Sequence, residues 1–395
     1  MTSAIKYSIL IPTRNGAKYL LSAIKSILDQ EYSNCEVIIS INHSEDNSLN
    51  LVNSIEDPRI KVIMPPKLLS MTKHFEWLLG HANGQWIAML GDDDGLMPYF
   101  FEKCDHLLLS YPDTKAINSS AAVYYWPGHP GSPKVFDYHY SSKQKMVNSK
   151  LQLLLALSGV NSFSALPQIY NTSVIHQSVI QKIKQKSNNI FYNEAAPDVY
   201  SGVAIASTLK GYLKTKCPLF WCGISPKSNG LAHILRSTKE ETVDMSTRVD
   251  EFDHLNHIQQ IKISNKVDPI LWKHGIGPVH VYSALHMLPF KTVYTNMKWI
   301  DYLVHGFIIL KIKATQNLFE KESLKRCLKK QIQINKLNPI ILWFFNFLPA
   351  SFLKRRFRAK RKPSKNTIYS MDHEKYPNIL AASEDALKIY RQQNP

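Results

Sequence analysis

The sequence predicts an α/β fold in which a mostly parallel sheet is flanked by helices. Over the first 120 residues, apolar segments of strand length alternate with segments that have the apolar stripe of an amphipathic helix. Polar clusters follow directly after several of the apolar segments. The chain has 395 residues, of which 44% are hydrophobic and 20% charged, as is typical of an ordered globular protein. That length allows two or three domains.

Each element of the first 120 residues has a local reason. Pro12 ends the first strand, and Pro65-Pro66 end the third. Leu20, Ile24 and Ile27 give the first helix its apolar stripe. The predicted strands are Tyr7–Ile11, Glu36–Ile41, Ile60–Met64, Trp86–Leu90 and a fifth that begins at Lys115–Asn118. The predicted helices are Lys18–Leu28, Asp46–Ile55, Thr72–His81 and Pro98–Ser110.

The pattern is less regular after residue 120. Helices are expected at Leu151–Leu157 and Val199–Leu209, whereas Pro127–Pro133 is rich in glycine and proline and predicts a loop. Phe191–Pro197 is irregular and polar, and Trp221–Gly230 is rich in turn-forming residues. From about residue 250 to 330 the sequence predicts mainly helices.

Three adjacent carboxylates, Asp92-Asp93-Asp94, follow the fourth predicted strand and lie between two glycines. Adjacent carboxylates repel one another unless a cation shares them. Because alternate residues of an extended segment point the same way, Asp92 and Asp94 can face one ligand. Such oxygen ligands suit Mg²⁺ or Mn²⁺, whose shells are often completed by substrate phosphates. The alternative is a solvated turn in which Asp94 caps the next helix.

Polar residues at other strand ends favour the functional interpretation. Pro12–Asn15 and Asn42–Ser44 follow the first and second predicted strands, as the aspartates follow the fourth. In parallel α/β sheets, ligands bind beyond the carboxyl ends of the strands. The three clusters therefore predict one site, suited to a phosphorylated and nucleotide-linked substrate.

Residues from about 5 to 230 resemble the family 2 glycosyltransferases, which have the GT-A fold, a Rossmann-like α/β arrangement. The resemblance rests on Ser8–Asn15, Leu20–Leu28, Glu36–Ile39, Gly84–Ile87 and Gly91–Gly95. It implies transfer of a sugar from a nucleotide-sugar to an acceptor, usually with inversion and with a divalent metal, Mn²⁺ or Mg²⁺. It also implies two regions, 1–120 for nucleotide-sugar binding and 121–240 for the acceptor and catalytic base. The sequence pattern beyond them predicts a helical region at 241–335 and, at 336–395, an apolar-aromatic segment with a basic tail that can contact a membrane.

The resemblance also assigns roles at the donor site. Asp92-Asp93-Asp94 match the family's DxD motif, so Asp92 is expected near the nucleotide ribose and Asp94 on a metal that bridges the diphosphate. The predicted nucleotide contacts are Pro12, Thr13, Arg14 and Asn15, with a surface role for Arg14 as the alternative. Asn42 stands where the family often has an aspartate, and it carries no charge. The base is therefore open, with uridine and hence a UDP-sugar as the default.

The same resemblance places an acidic catalytic base at the start of a helix about a hundred residues after the DxD motif. Asp198 fits that position, with Glu194 in reserve, and simple helix capping is the alternative for Asp198. Ser225–Gly230 is a candidate loop over the diphosphate. His233 is a candidate metal ligand, although a lone histidine is more often structural.

The net charge of +17 is concentrated near the C-terminus. Thirteen Lys or Arg and no Asp or Glu lie between Lys325 and Lys365. The uncharged, aromatic-rich Leu337–Leu353 precedes the basic run Lys354–Lys362, and this combination suits an anionic membrane surface. A buried helix with a solvated basic tail is an alternative. Nucleic-acid binding is ranked low because no recognised nucleic-acid fold accompanies the run.

The five cysteines are odd in number and lack metal-ligand spacing, which predicts unpaired thiols in a reducing cytosol. The N-terminus has no signal-peptide pattern, and no apolar run reaches the length of a membrane-spanning helix. The predicted location is therefore cytoplasmic and peripheral, on the inner face of the cell membrane.

The combined expectation is an inverting, metal-dependent glycosyltransferase with a glycan or lipid-linked acceptor, acting in bacterial surface polysaccharide synthesis. A catalytically inactive nucleotide-sugar-binding or membrane-associated scaffold protein is the alternative, because Asn42 replaces a charged residue. A nucleotidyltransferase of similar fold is disfavoured, since Gly16 alone stands where such enzymes carry a glycine-rich loop.

Overall fold

The computed structural model describes residues 6–129, 135–226, 263–274, 276–343 and 367–394. The strands are β1 Tyr7–Thr13, β2 Cys35–Ile41, β3 Ile60–Ile63, β4 Trp86–Met89, β5 Gly95–Leu96, β6 Ala116–Tyr125, β7 Phe136–His139, β8 Gln144–Asn148, β9 Ser173–His176, β10 Gly211–Ile224 and β11 Thr367–Ser370. The helices are α1 Ala17–Leu28, α2 Ser48–Asn53, α3 Met71–Leu79, α4 Phe100–Ser110, α5 Ser149–Leu157, α6 Gln177–Gln185, α7 Pro197–Thr208, α8 Pro269–Lys273, α9 Gly277–Met287, α10 Lys298–Ala314, α11 Leu318–Ile334, α12 Pro339–Trp343 and α13 Ile379–Gln393.

The predicted α/β fold is confirmed, and the sheet is mixed. Its main path runs β11-β7-β6-β9-β4-β1-β2-β3. β1 pairs in parallel with both β2 and β4, and β2 pairs in parallel with β3. Beyond β4 the antiparallel β9 joins the parallel half to β6, which in turn pairs in parallel with β10. The carboxyl ends of β1, β2 and β4 therefore meet at one edge.

Both faces of the parallel half are buried, which explains why its strands are continuous apolar runs. Ile9 and Ile11 pack with α1 and α4 on one face, while Leu10 packs on the other, with α3 and α7. Alternate residues of a strand point to opposite faces, so a single apolar segment fills both layers. The sheet edge above these layers is consequently held rigidly.

The segment from Trp221 to Gly230 differs from its prediction. Trp221–Ile224 are the end of the long strand β10, and residues 227–230 lie outside the described part of the chain. β10 is held between β6 and the short β5, and its register shifts around Pro218. Pairing on two sides overrides the local turn signals, and the proline lies where the ladder is already irregular.

Residues 367–394 return to the sheet. β11 pairs antiparallel with β7, and α13 packs beside α1. The rings of Tyr99 and Tyr390 are stacked with centroids 3.8 Å apart, and Trp221 Nε1 donates to Ser383 Oγ at 2.8 Å. The end of the chain is thus part of the same core as β5 and β10. The proposed division of the chain at residue 336 stays a prediction.

The predicted helical C-terminal region is confirmed as α8 to α12. α9 packs against α5 and α7, and α10 packs against α11 and α12. Among the described residues, no helix is both long and apolar enough to cross a membrane.

The cysteines are unpaired, as the sequence predicts, and four of the five are buried. Burial raises the pKa of Cys35 to about 11 and that of Cys217 to about 12. Both groups are therefore neutral thiols near neutral pH, and they act as small apolar side chains of the core.

Candidate functional site at the carboxyl edge of the sheet

The ends of β1 and β4 are joined by a side-chain hydrogen bond. Thr13 Oγ1 donates to Asp92 Oδ2 at 2.5 Å. Thr13 is buried, whereas Asp92 is half-buried at the rim. A Cβ atom at position 16 would overlap with Asp92 Oδ2, so only glycine lets the start of α1 approach this carboxylate. The two strand ends that the sequence predicted to converge are therefore in direct contact.

Asp94 faces the interior. Its Oδ1 accepts the Gly223 N–H at 2.7 Å, and its Oδ2 accepts the Gly91 N–H at 2.7 Å and a bond from Asn171 Nδ2. Burial, and then the charge of Asp93, raises the pKa of Asp94 well above its usual range and outweighs these three donors. The carboxylate ties the end of β4 to β10 and to the segment before β9.

Asp93 contacts β10 on the other side. Its Oδ2 accepts the Ser225 N–H at 3.3 Å, and its main-chain oxygen accepts the Trp126 indole N–H at 2.8 Å. A Cβ atom at Gly223 would overlap with the Asp93 main-chain oxygen. The aspartate turn and the end of β10 are thus packed backbone to backbone.

The loops after β1 and β2 are also joined. The Asn15 N–H donates to Ser44 Oγ at 3.0 Å, and Asn15 Oδ1 accepts the Glu45 N–H at 2.8 Å. Asn15 has φ of +57°, the left-handed conformation that asparagine tolerates best after glycine. Asp46 Oδ2 accepts the Ala17 N–H at 2.9 Å, so Asp46 caps α1 from the neighbouring loop.

The other predicted nucleotide contacts have different surroundings. Pro12 is buried within β1 and Arg14 is half-buried in the loop that follows. The buried Asn42 side chain bonds twice with the main chain of Leu69, donating to its oxygen at 2.8 Å and accepting its N–H at 3.0 Å. The Asn42 amide therefore holds the loop before α3, and its contact with a nucleotide stays a prediction.

A row of aromatic rings links the start of α7 to the aspartates. Asp198 is the second residue of α7 and is half-buried. Burial raises the pKa of Tyr192 well above its usual range, and the charge of Asp198 adds to the rise. The Tyr192 ring lies 6.0 Å from that of Phe75, which in turn stacks on Tyr170 at 5.6 Å. Tyr170 is half-buried, and a Cβ atom at Gly91 would overlap with its hydroxyl, so the row reaches the aspartate turn. Desolvation, and then the charge of Asp94, raises the pKa of Tyr170 well above its usual range.

Glu194 has a more interior position than Asp198. Its Oε1 accepts the Ser283 hydroxyl of α9 at 2.8 Å, and its Oε2 accepts the Ala196 N–H at 3.2 Å. Its main-chain oxygen accepts Thr72 Oγ1 at 3.0 Å. Glu194 therefore joins α3, the start of α7 and the helical C-terminal region.

The residues that form this edge of the sheet are similar to a known protein family. Residues 8–129 match the family described as Glycosyl transferase family 2. This part of the chain is therefore similar to the family 2 glycosyltransferases. The predicted resemblance is thereby confirmed, and the Asp92–Asp94 turn lies inside the matched residues.

Similar proteins match part of their length. A Campylobacter jejuni "GalNAc(5)-diNAcBac-PP-undecaprenol beta-1,3-glucosyltransferase" is 32% identical over 95 residues, which are 23% of this chain and 31% of that protein. An Escherichia coli "UDP-Glc:alpha-D-GlcNAc-diphosphoundecaprenol beta-1,3-glucosyltransferase" is 31% identical over 87 residues, 22% of this chain and 34% of that protein. The chain thus spans about a third of the length of these relatives.

A solved structure agrees in fold. That of S. aureus TarS 1-349 in complex with UDP-GlcNAc has a TM-score of 0.50 and 13% identity, covering 83% of this chain and 81% of that chain. At this identity the likeness concerns the fold alone, and it confirms the predicted GT-A fold.

Several residues that complete the edge were missed by the sequence analysis. Tyr170, Asn171 and Gly223 surround Asp94 but lie beyond the family 2 match, far from it in sequence. Local spacing gives no signal for such contacts. Asn171 lies in the turn before β9, with φ of +56°. His233 lies outside the described residues.

A divalent cation at this edge of the sheet would take its protein ligands from the aspartate turn. Among the described residues, no three His, Cys, Asp or Glu side chains form a metal-binding group. Mg²⁺ often binds through one or two carboxylates plus substrate phosphates. Asp94 uses three of the roughly four acceptor positions of a carboxylate, so one remains. Asp94 can thus offer one position to a cation shared with a substrate, while the more exposed Asp92 faces Thr13 instead of pointing the same way as Asp94.

Proposed function

We propose that the protein transfers a sugar, with inversion, from a nucleotide-sugar to a glycan or lipid-linked acceptor. The observation that carries the proposal is the bond between Thr13 and Asp92 at the converging strand ends of the region that is similar to the family 2 glycosyltransferases. The two relatives named as diphosphoundecaprenol glucosyltransferases support a lipid-linked acceptor and bacterial surface polysaccharide synthesis. The UDP-GlcNAc in the TarS structure supports a UDP-sugar as the donor.

Asp92 and Asp94 are the proposed ligands of Mn²⁺ or Mg²⁺, and His233 is a further candidate outside the described residues. When bound, such a cation neutralises the charge that develops on the departing nucleoside diphosphate. Thr13 would keep Asp92 oriented, because its hydroxyl already donates to that carboxylate. Pro12, Arg14 and Asn15 line the nucleotide side, while Asp93 holds the turn against β10.

Asp198 is the proposed general base. It would accept the proton of the acceptor hydroxyl while that oxygen forms a bond to the anomeric carbon and the diphosphate leaves with its bonding electrons. This single displacement inverts the anomeric carbon and needs no covalent enzyme intermediate. The half-buried position of Asp198 supports the choice over Glu194, whose two carboxylate oxygens already accept protein hydrogen bonds.

A peripheral position on the cytoplasmic face of the membrane is part of the proposal. Leu337–Leu353 is uncharged and aromatic, and Lys354–Lys362 is strongly basic. An amphipathic segment beside a basic cluster binds anionic lipid surfaces, with about 1 kcal/mol for each basic residue. Such a location would bring a lipid-linked acceptor to the enzyme.

The test is titration calorimetry against UDP-, GDP- and dTDP-sugars, with and without Mn²⁺. We expect metal-dependent binding of one nucleotide class, weakened by about tenfold or more in Asp92→Asn because the amide cannot bind the cation as a carboxylate does. Asp113→Asn, an exposed aspartate in the turn between α4 and β6, is the matched control and should bind like wild type.

Asp92→Asn is a cleaner variant than Asp94→Ala. Removing the Asp94 carboxylate would leave three buried donors unpaired, so lost binding and lost stability would coincide. A folded wild-type protein that binds none of these donors in the presence of Mn²⁺ would contradict the proposed function.

A further inference from the structure

Large apolar side chains are exposed together in the helical C-terminal region. Trp299 at the start of α10 is 47% exposed, and Ile340 in α12 is 68% exposed. Val293, Met297 and Ile341 are also exposed. We call these five residues the apolar corner. Exposed apolar side chains are common singly, but a contiguous group on a soluble surface usually marks an interaction site.

Specific contacts bring the two parts of the apolar corner together. Lys298 Nζ, next to Trp299, donates to the main-chain oxygen of Asn335 in the turn between α11 and α12. The Asn338 N–H in the same turn donates to Tyr302 Oη at 3.0 Å. The start of α10 therefore packs on the turn that leads into Ile340 and Ile341, as the packing of α10 against α12 also shows.

The surroundings of the apolar corner are basic. Lys150, Lys291 and Lys336 are exposed. Tyr294 Oη donates to the main-chain oxygen of Lys150 at 3.0 Å, which places the start of α5 beside the corner. The contributing segments 145–151, 291–299 and 335–343 contain no Asp or Glu, and the nearby Asp301 is buried and paired with Lys298 at 3.4 Å. The corner thus combines an apolar centre with a cationic rim.

The apolar corner is also continuous with the sequence that follows it. α12 ends at Trp343, and the chain goes on into the uncharged residues up to Leu353 and then the basic run Lys354–Lys362. The folded corner and this segment therefore have the same chemistry, aromatic and aliphatic groups beside cations.

We propose that the apolar corner is the face by which the folded protein docks on an anionic lipid bilayer. Interfacial binding requires three kinds of contact: tryptophan at the bilayer interface, aliphatic groups inserted below it, and lysines over anionic headgroups. The absence of carboxylates among the contributing segments favours an anionic surface as the occupant. This inference rests on the proposed peripheral location and names the part of the body that meets the lipid.

The experiment is co-sedimentation with vesicles of phosphatidylglycerol and phosphatidylcholine, compared with phosphatidylcholine alone. We expect binding to the anionic vesicles that weakens as salt increases. Trp299→Gln/Ile340→Gln should weaken that binding by about tenfold or more, because both side chains lose their insertion into lipid. The matched control is Leu109→Gln/Met371→Gln, which removes two apolar groups elsewhere that are 83% and 62% exposed.

Two outcomes would overturn the proposal. Either the wild-type protein fails to sediment with anionic vesicles, or the Trp299/Ile340 variant sediments as well as the control, so that the unchanged basic run alone provides binding. Thermal melting shows that each variant is folded. Calorimetry with the donor on the same preparations separates the two proposals. If the wild-type protein binds the donor but does not bind anionic vesicles, the docking proposal is wrong and the proposed transferase activity is unaffected.

Discussion

At the scale of single residues, the three adjacent aspartates take different directions. Asp92 points to the rim, where Thr13 binds it, whereas Asp94 points inward to Gly91, Gly223 and Asn171. Identical neighbours in the sequence therefore divide into one half-buried carboxylate and one buried carboxylate that holds the turn and keeps a single position for a cation. The path of the backbone after the end of β4 determines which way each aspartate side chain points.

The proposed base gives a prediction at the same scale. Asp198→Asn should lower the turnover by roughly 100-fold or more while leaving donor binding unchanged, since an amide cannot accept the proton of the acceptor hydroxyl. Transfer from the donor that calorimetry identifies, measured at saturating acceptor, checks this. An inactive binding or scaffold protein would have no turnover to lose.

Glu194→Gln is the matched variant for Asp198→Asn. Because Glu194 bonds with Ser283 and Ala196 in the interior, the change should lower the thermal midpoint and largely preserve turnover. If Glu194→Gln removes turnover and Asp198→Asn does not, the assignment of the base is reversed.

The sequence predicts the site residues that lie next to strands with a clear pattern, and it does not predict their partners that lie far away along the chain. Thr13 and Asp92 were both predicted because each ends a strand with a clear apolar pattern. Asn171 and Gly223, which are 77 and 129 residues from Asp94, were not, because nothing near them in sequence refers to the carboxylate. Asn42 was expected at the nucleotide, and the structure instead shows its amide engaged by Leu69.

At the scale of elements, the parallel half was predictable and the mixed half was not. β1, β2 and β4 are buried throughout, so each appears as an apolar run. β10 contains Lys214, Lys216 and Pro218, and its strand character comes from pairing with β6, β8 and β5. Strands whose existence depends on distant partners leave a weaker local pattern than buried parallel strands do.

The contact between α3 and β2 predicts a dependence of stability on pH. His74 in α3 is buried, with Nε2 2.6 Å from the Ser40 hydroxyl of β2, and burial lowers its pKa from 6.5 to about 4. Between pH 6.5 and 4 the unfolded chain binds a proton that the folded protein excludes. The free energy of unfolding should therefore fall with decreasing pH across this window, by about 3 kcal/mol for His74.

Urea unfolding at pH 7, 6 and 5 measures this effect, with His74→Gln compared with His106→Gln, an exposed histidine of α4. The slope of stability against pH should become shallower in His74→Gln and stay as in wild type in His106→Gln. His305, buried in α10 with its pKa also lowered to about 4, keeps part of the slope in both variants. Equal slopes in all three proteins would show that His74 is protonated as readily in the folded state as in the unfolded state.

At the scale of the whole molecule, residues 367–394 at the end of the chain pack in the interior of the fold. The sequence suggests a basic tail after residue 336, since its charge and apolar runs give no sign of a return. In the structure, β11 joins β7, and Tyr376, Ile379 and Tyr390 enter the aromatic core around Trp221. Such pairing joins segments more than two hundred residues apart, which a local pattern cannot reveal.

That return has a consequence for the integrity of the chain. Residues 344–366, which include the basic run, connect two parts that each pack in a hydrophobic core of their own, so the covalent link there is not what holds them in place. A single cut by trypsin within Lys354–Lys362 should leave the last fragment attached, and the two pieces should co-elute in size exclusion and separate in denaturant. Late elution of a free C-terminal peptide, separate from the larger fragment, would contradict this. If the two pieces stay together, the cleaved protein is a complex of two fragments, and its short fragment could be exchanged for a labelled synthetic peptide.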